Sequence, residues 1–105
     1  MTEITVHDLR RRRDANEDFM LLDVREPDEV ATASIAGATV IRMSDIPLHL
    51  DELPTNRPIV VMCHHGARSA NVTNFLNAGG YPNAVNLGGG IDTWAAEIDP
   101  AVARY

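Results

Sequence analysis

The chain has 105 residues, of which 45% are hydrophobic and 23% charged, and it carries a net charge of −6. Residues 1–105 therefore suffice for one domain around one hydrophobic core. The acidic balance argues against nucleic acid or an anionic membrane as a partner, no apolar run approaches the roughly 18 residues of a membrane span, and a lone cysteine, Cys63, excludes an internal disulfide.

In chain order, Ile4 is placed in a first short strand. Thr5-Val6-His7-Asp8 reads as a capping box that opens a helix carrying Leu9. The run Arg10–Arg13 belongs to the solvated face of that helix; a docking patch for an acidic partner is the lesser reading. No apolar stretch precedes these arginines, so no secretory leader is expected. With the unpaired cysteine, this predicts a reducing cytoplasmic location. Phe19–Val24 is a strand, apolar on both faces until Asp23. Pro27 is suited to start a short helix reaching about Ala33. Gly37 opens a turn before a strand over Thr39–Ile41. Ser44 or Asp45 is expected to cap a helix from Ile46 to Leu53, with Pro47 in its first turn. Ile59–Met62 is the next strand.

A helix over Ala67–Ala78 follows a short loop, with Ala70, Val72 or Thr73, and Leu76 near one face. Gly79-Gly80 stops it. Asn83–Leu87 is the last strand. Gly88-Gly89-Gly90 forms a tight turn without the spacing of a dinucleotide fingerprint. A final helix holds Ile91, Trp94 and Ala95, with Trp94 as core packing, and Pro100 lies at or beyond its end. Continuous apolar strands alternating with helices predict an α/β fold, its central sheet mainly parallel and covered on both faces. Ligands then bind beyond the carboxyl ends of the strands. Cys63 lies at such an end, and Asp23 to Arg25 lie at another.

The segment Cys63-His64-His65-Gly66-Ala67-Arg68-Ser69 carries the chemistry. A helix N-terminus and a nearby guanidinium both favour a thiolate over a thiol. Gly66 lets successive backbone N–H groups converge on one point. Such a cradle would stabilise a Cys63 thiolate, and equally a second, anionic sulfur attached to it. The residues alone leave a further possibility open, an inert core cysteine at the end of a strand. His64 and His65 are expected to point apart and to line the loop with their amides rather than form a metal site with Cys63. Arg68 either attracts an anionic substrate or pairs with a carboxylate to hold the loop closed. For Ser69, capping of the helix is the expected role, with a hydrogen bond to the sulfur as the alternative.

The chain resembles the single-domain rhodanese family of sulfurtransferases. The resemblance spans nearly the whole length. It rests on Leu22-Asp23-Val24-Arg25-Glu26-Pro27, on Ile35-Ala36-Gly37-Ala38, on the Cys63–Ser69 loop, and on Asn86-Leu87-Gly88-Gly89-Gly90-Ile91 with Trp94. It implies a rhodanese-like fold with a five-stranded sheet. It also implies transfer of a sulfane sulfur, from a donor such as thiosulfate to cyanide, a thiol or a protein acceptor. Cys63 would be the nucleophile and carry a covalent persulfide, with no separate cofactor. The amides of residues His64, His65, Gly66, Ala67, Arg68 and Ser69 would hold the transferred sulfur. Asp23 and Arg25 match the family's strand-end pair and serve as structural support. One segment departs from the pattern: Ala33 and Ser34 stand where members often show Gly-His. Rival readings are a sulfur carrier or interaction module working with a partner, and a Cys-based phosphatase or arsenate reductase. The latter use Cys-x5-Arg, whereas four residues separate Cys63 from Arg68, and Ser69 stands at the position such an arginine would occupy. The tighter loop suits one sulfur atom better than a tetrahedral oxyanion.

Overall fold

Strands that are apolar on both faces need cover on both sides, and the chain supplies it. The computed structural model describes residues 1–105. Its strands are β1 (Glu3–Ile4), β2 (Met20–Asp23), β3 (Thr39–Val40), β4 (Ile59–Met62) and β5 (Ala84–Leu87). They form one five-stranded sheet in the order β1-β5-β4-β2-β3. Every pairing is parallel, so the expected α/β fold with a parallel central sheet holds. The helices are α1 (Val6–Asp14), α2 (Pro27–Thr32), α3 (Ala67–Ala78) and α4 (Gly90–Glu97). None is long and apolar enough to cross a membrane.

Side chains alternate along β4 and divide the core in two. Val60 and Met62 pack with Leu9 of α1 and Ile91 and Trp94 of α4. Ile59, Val61 and Cys63 point the other way, toward Val72 and Leu76 of α3 and toward Ile46. The register sets Asp23 beside Met62, and the Val24 amide donates to the Met62 carbonyl at 3.0 Å. Arg25 and Cys63 therefore leave neighbouring strands at the same end of the sheet.

Local signals mostly produce the elements expected of them. The α1 capping box forms: the Asp8 amide donates to Thr5 Oγ1 at 3.1 Å and the Thr5 amide to Asp8 Oδ2 at 3.0 Å. Arg10 and Arg11 lie exposed on α1, and Arg10 faces Asp14 at 3.7 Å. Trp94 is buried, with the Arg13 guanidinium 5.9 Å from its ring centroid. The segment between β3 and β4 differs from expectation. In place of a helix over Ile46–Leu53 there are two 3-10 turns, Met43–Leu48 and Leu50–Glu52. Pro47 has no N–H to give an α-helical ladder. Shorter bonds form instead, from the Asp45 amide to the Arg42 carbonyl at 2.9 Å and from His49 to Ile46 at 3.0 Å. Neither Ser44 nor Asp45 is a cap: the turn starts at Met43 with no side-chain cap, and the Asp45 carboxylate accepts from Arg42 Nε at 3.0 Å. Strand edges also shift by a residue or so. Phe19 and Val24 flank β2, Ile41 lies outside β3, and Asn83 precedes β5.

Candidate active site

A thiol at the end of β4 sits on the α3 face because of strand alternation, and α3 begins four residues later. The junction turns at Gly66, whose φ of +107° lies in the left-handed region that glycine adopts without strain. A side chain there would also press on the Gly89 amide nitrogen, 3.3 Å from the position of its Cβ. The turn brings the Gly66 N–H to Cys63 Sγ at 3.0 Å and the Ser69 hydroxyl to the same sulfur at 3.3 Å. Cys63 is only 1% exposed, so these donors meet the sulfur with little competition from water.

The other loop amides are oriented from behind. The amides of Ile91 and Asp92 at the start of α4 donate to the Cys63 and His64 carbonyls at 3.0 and 3.1 Å. In a planar trans peptide the N–H points opposite to the C=O. Holding these two carbonyls against α4 therefore turns the His64 and His65 amides away from α4. On the helix side, the first i→i−4 bond of α3 runs from the Ala70 amide to the Gly66 carbonyl at 3.1 Å. The amides of Ala67, Arg68 and Ser69 come before it and remain free for an anion, as the first turn of a helix requires. The Gly66 carbonyl also accepts from Asn86 Nδ2 at 3.3 Å, which anchors the turn to β5.

The expected site residues take up distinct positions. Ser69 does not cap α3. The cap position is Gly66, without a side-chain bond, and the Ser69 hydroxyl faces both Sγ and, at 3.2 Å, the Gly66 carbonyl. His64 and His65 do not point apart: their rings stack with centroids 3.8 Å apart. On its other face the His64 ring lies 3.8 Å from the Tyr105 ring, nearly parallel at 7°. No three His, Cys, Asp or Glu side chains come together in a geometry that would hold a metal ion.

Arg68 pairs with a carboxylate. Its two terminal nitrogens donate to Glu29 Oε1 at 2.6 Å and Oε2 at 2.9 Å. Glu29 also accepts from the Tyr105 hydroxyl at 2.8 Å and the Glu26 amide at 3.2 Å. The Arg68 guanidinium first, then these other donors, hold the Glu29 carboxyl down at about 2.

Beneath this pair, Asp23 and Arg25 are fully buried and joined by hydrogen bonds of 2.7 Å from Nη2 and 3.0 Å from Nε. Arg25 extends the network to the Ala33 carbonyl at 2.8 Å, the Glu29 carbonyl at 3.3 Å and the Tyr105 hydroxyl at 2.9 Å. It thereby straps α2 to the end of β2. Ala33, at the departure from the family pattern, has φ −155° in extended backbone that needs no glycine, and Ser34 is exposed. Sequence reasoning assigned no site role to Glu29, Tyr105 or the Asn86 side chain. Their partners lie up to 83 positions away in the chain, beyond the reach of any local pattern.

With this geometry in place, the chain can be set beside known proteins. It matches the family described as Rhodanese-like domain over residues 5–97. It is 38% identical over 103 residues to a protein named Sulfurtransferase from Allochromatium vinosum, covering 98% of this chain and 96% of that one. It is 31% identical over 74 residues to the thiosulfate sulfurtransferase GlpE of Tolumonas auensis, covering 70% of each. Among solved structures, a rhodanese-like domain protein from Staphylococcus aureus superposes with a TM-score of 0.87 at 31% identity, over 100% of this chain and 99% of that one.

Proposed function

Because the chain belongs to the rhodanese-like domain family of sulfurtransferases, we propose that it moves a sulfane sulfur through a persulfide on Cys63. The donor is a sulfane compound such as thiosulfate, and the acceptor is cyanide or a thiol, free or on a protein. The observation that carries the reading is the surround of Sγ, with the Gly66 amide at 3.0 Å and the Ser69 hydroxyl at 3.3 Å. Beside them lie the free amides of the first turn of α3.

The Cys63 thiolate attacks the outer sulfur of thiosulfate. The donor's S–S bond breaks, sulfite leaves with the electron pair, and Cys63 carries an S–S⁻ group. Cyanide or a thiolate then takes the outer sulfur, and the Cys63 thiolate returns. No separate cofactor enters these steps. The negative charge resides on the outer sulfur of the persulfide, where the α3 amides and the positive end of the helix dipole oppose it. A Cys-based phosphatase would need its arginine on the oxyanion, whereas Arg68 is engaged by Glu29.

Intact-mass measurement after thiosulfate treatment tests the reading. The expected result is a gain of roughly 32 Da on Cys63, reversed by cyanide with release of thiocyanate, and absent in Cys63→Ser. An adduct that cyanide leaves in place would favour a carrier that surrenders its sulfur only to a protein partner. No adduct from thiosulfate or from an alkyl persulfide, with thiocyanate formation unchanged in Cys63→Ser, overturns it.

A further inference from the structure

The cations at the Cys63 end of the sheet are all spoken for. Arg25 is paired with Asp23 at 2.7 Å, Arg42 with Asp45 at 3.0 Å, Arg68 with Glu29 at 2.6 Å, and Arg104 with Asp92 at 3.1 Å. The chain as a whole carries −6. A small dianion approaching a thiolate at this site therefore meets no unpaired guanidinium. The one side chain placed to attract it, Arg68, is held by an internal carboxylate through both terminal nitrogens. That carboxylate is anchored independently of Arg68 by the Tyr105 hydroxyl at 2.8 Å and the Glu26 amide at 3.2 Å. It stays charged at any ordinary pH.

An organic persulfide poses a different problem. Its transferable sulfur is bonded to a sulfur that bears carbon, so it presents no sulfonate-like group for an arginine to bind. Tyr105, stacked on His64 by one face, is 41% exposed and offers carbon surface beside the loop.

We propose that Glu29, held by Tyr105, is a specificity-determining residue: by occupying Arg68 it disfavours small dianionic sulfur donors and leaves the site to organic persulfides. This rests on the sulfurtransferase reading. With such a donor the Cys63 thiolate attacks the outer sulfur of R–S–S⁻, the donor's S–S bond breaks, and R–S⁻ leaves with the electron pair. Cys63 then holds the same persulfide as before.

Steady-state kinetics on Glu29→Gln and Tyr105→Phe test it, with thiosulfate and propyl persulfide as alternative donors and thermal melting as a check on folding. Freeing Arg68 in Glu29→Gln is expected to lower the thiosulfate KM about tenfold with kcat within about twofold, since the new attraction acts on binding. Propyl persulfide should change by less than about twofold in kcat/KM. Adding Arg68→Ala to Glu29→Gln should abolish the gain. Tyr105→Phe keeps the carboxylate but loosens it, and a smaller fall in thiosulfate KM, about threefold, is expected. An unchanged thiosulfate KM in both folded variants overturns the inference. So does a loss of both donors together in Glu29→Gln with no shift in Tyr105→Phe, which would assign Glu29 a structural role alone. If neither donor places sulfur on Cys63 in the unaltered protein, the sulfurtransferase reading fails as well.

Discussion

Ser69 has one hydroxyl proton and two acceptors within reach, Cys63 Sγ at 3.3 Å and the Gly66 carbonyl at 3.2 Å. An anionic sulfur outcompetes a neutral carbonyl for that proton. The carbonyl loses little, because it also accepts from the Ala70 amide and from Asn86 Nδ2. The Ser69 proton is thus available to an anionic sulfur while the turn stays satisfied. Removing a hydrogen bond to a charged group costs about 1.5 kcal/mol. Ser69→Ala is therefore expected to slow sulfur transfer about tenfold, with only a small change in melting temperature. Thiocyanate formation and a melting curve on the same sample check this. A lower melting temperature at full rate would confine Ser69 to packing.

At the scale of elements, the site is a loop gripped between two helix N-termini. The first turn of α3 leaves its amides free beside the Gly66 N–H that meets the sulfur, and α4 takes the loop's carbonyls on the other side. The first half of that grip was legible in the sequence. The strand Ile59–Met62, the loop and the helix Ala67–Ala78 are consecutive, and each has its own local signal. The α4 half was not legible. The three glycines read correctly as a turn, yet Gly90 matters through what touches it. A Cβ there would lie 2.4 Å from the Cys63 carbonyl oxygen and 2.5 Å from that of His64, and its φ is +60°. Likewise, pairing of Arg68 with a carboxylate was one of the two roles open to it in the sequence, but Glu29 read as an ordinary charged residue, and only the fold identifies it as the partner. The 43–52 segment failed for a local reason, the cost of Pro47 inside a helix. Gly90→Ala should destabilise the fold by about 2–4 kcal/mol, from the left-handed backbone and the clash together. It should also slow transfer in whatever fraction stays folded, because displaced carbonyls rotate the amides that face the sulfur. Denaturant melts and rates normalised to folded protein measure the two effects. Wild-type stability in this variant would show that α4 does not grip the loop.

For the whole molecule, charge decides how the site is approached. The cationic groups at the site are paired within the structure, so their fields largely cancel beyond a few ångströms, and the net −6 remains. At about 0.01 M salt that charge is felt over roughly 30 Å, and at about 0.15 M over roughly 8 Å. Screening should therefore help a dianion reach Cys63. The thiosulfate kcat/KM is expected to rise about threefold between those two salt concentrations, with a smaller rise for propyl persulfide, whose charge is lower. Glu29→Gln, with Arg68 unpaired, should flatten the thiosulfate profile or invert it, since a local attraction is then being screened as well. Rates measured across a salt series with both donors separate these cases. A thiosulfate rate that falls with added salt in the unaltered protein would mean that Arg68 attracts the donor despite Glu29. The local pair, rather than the net charge of the molecule, would then govern encounter.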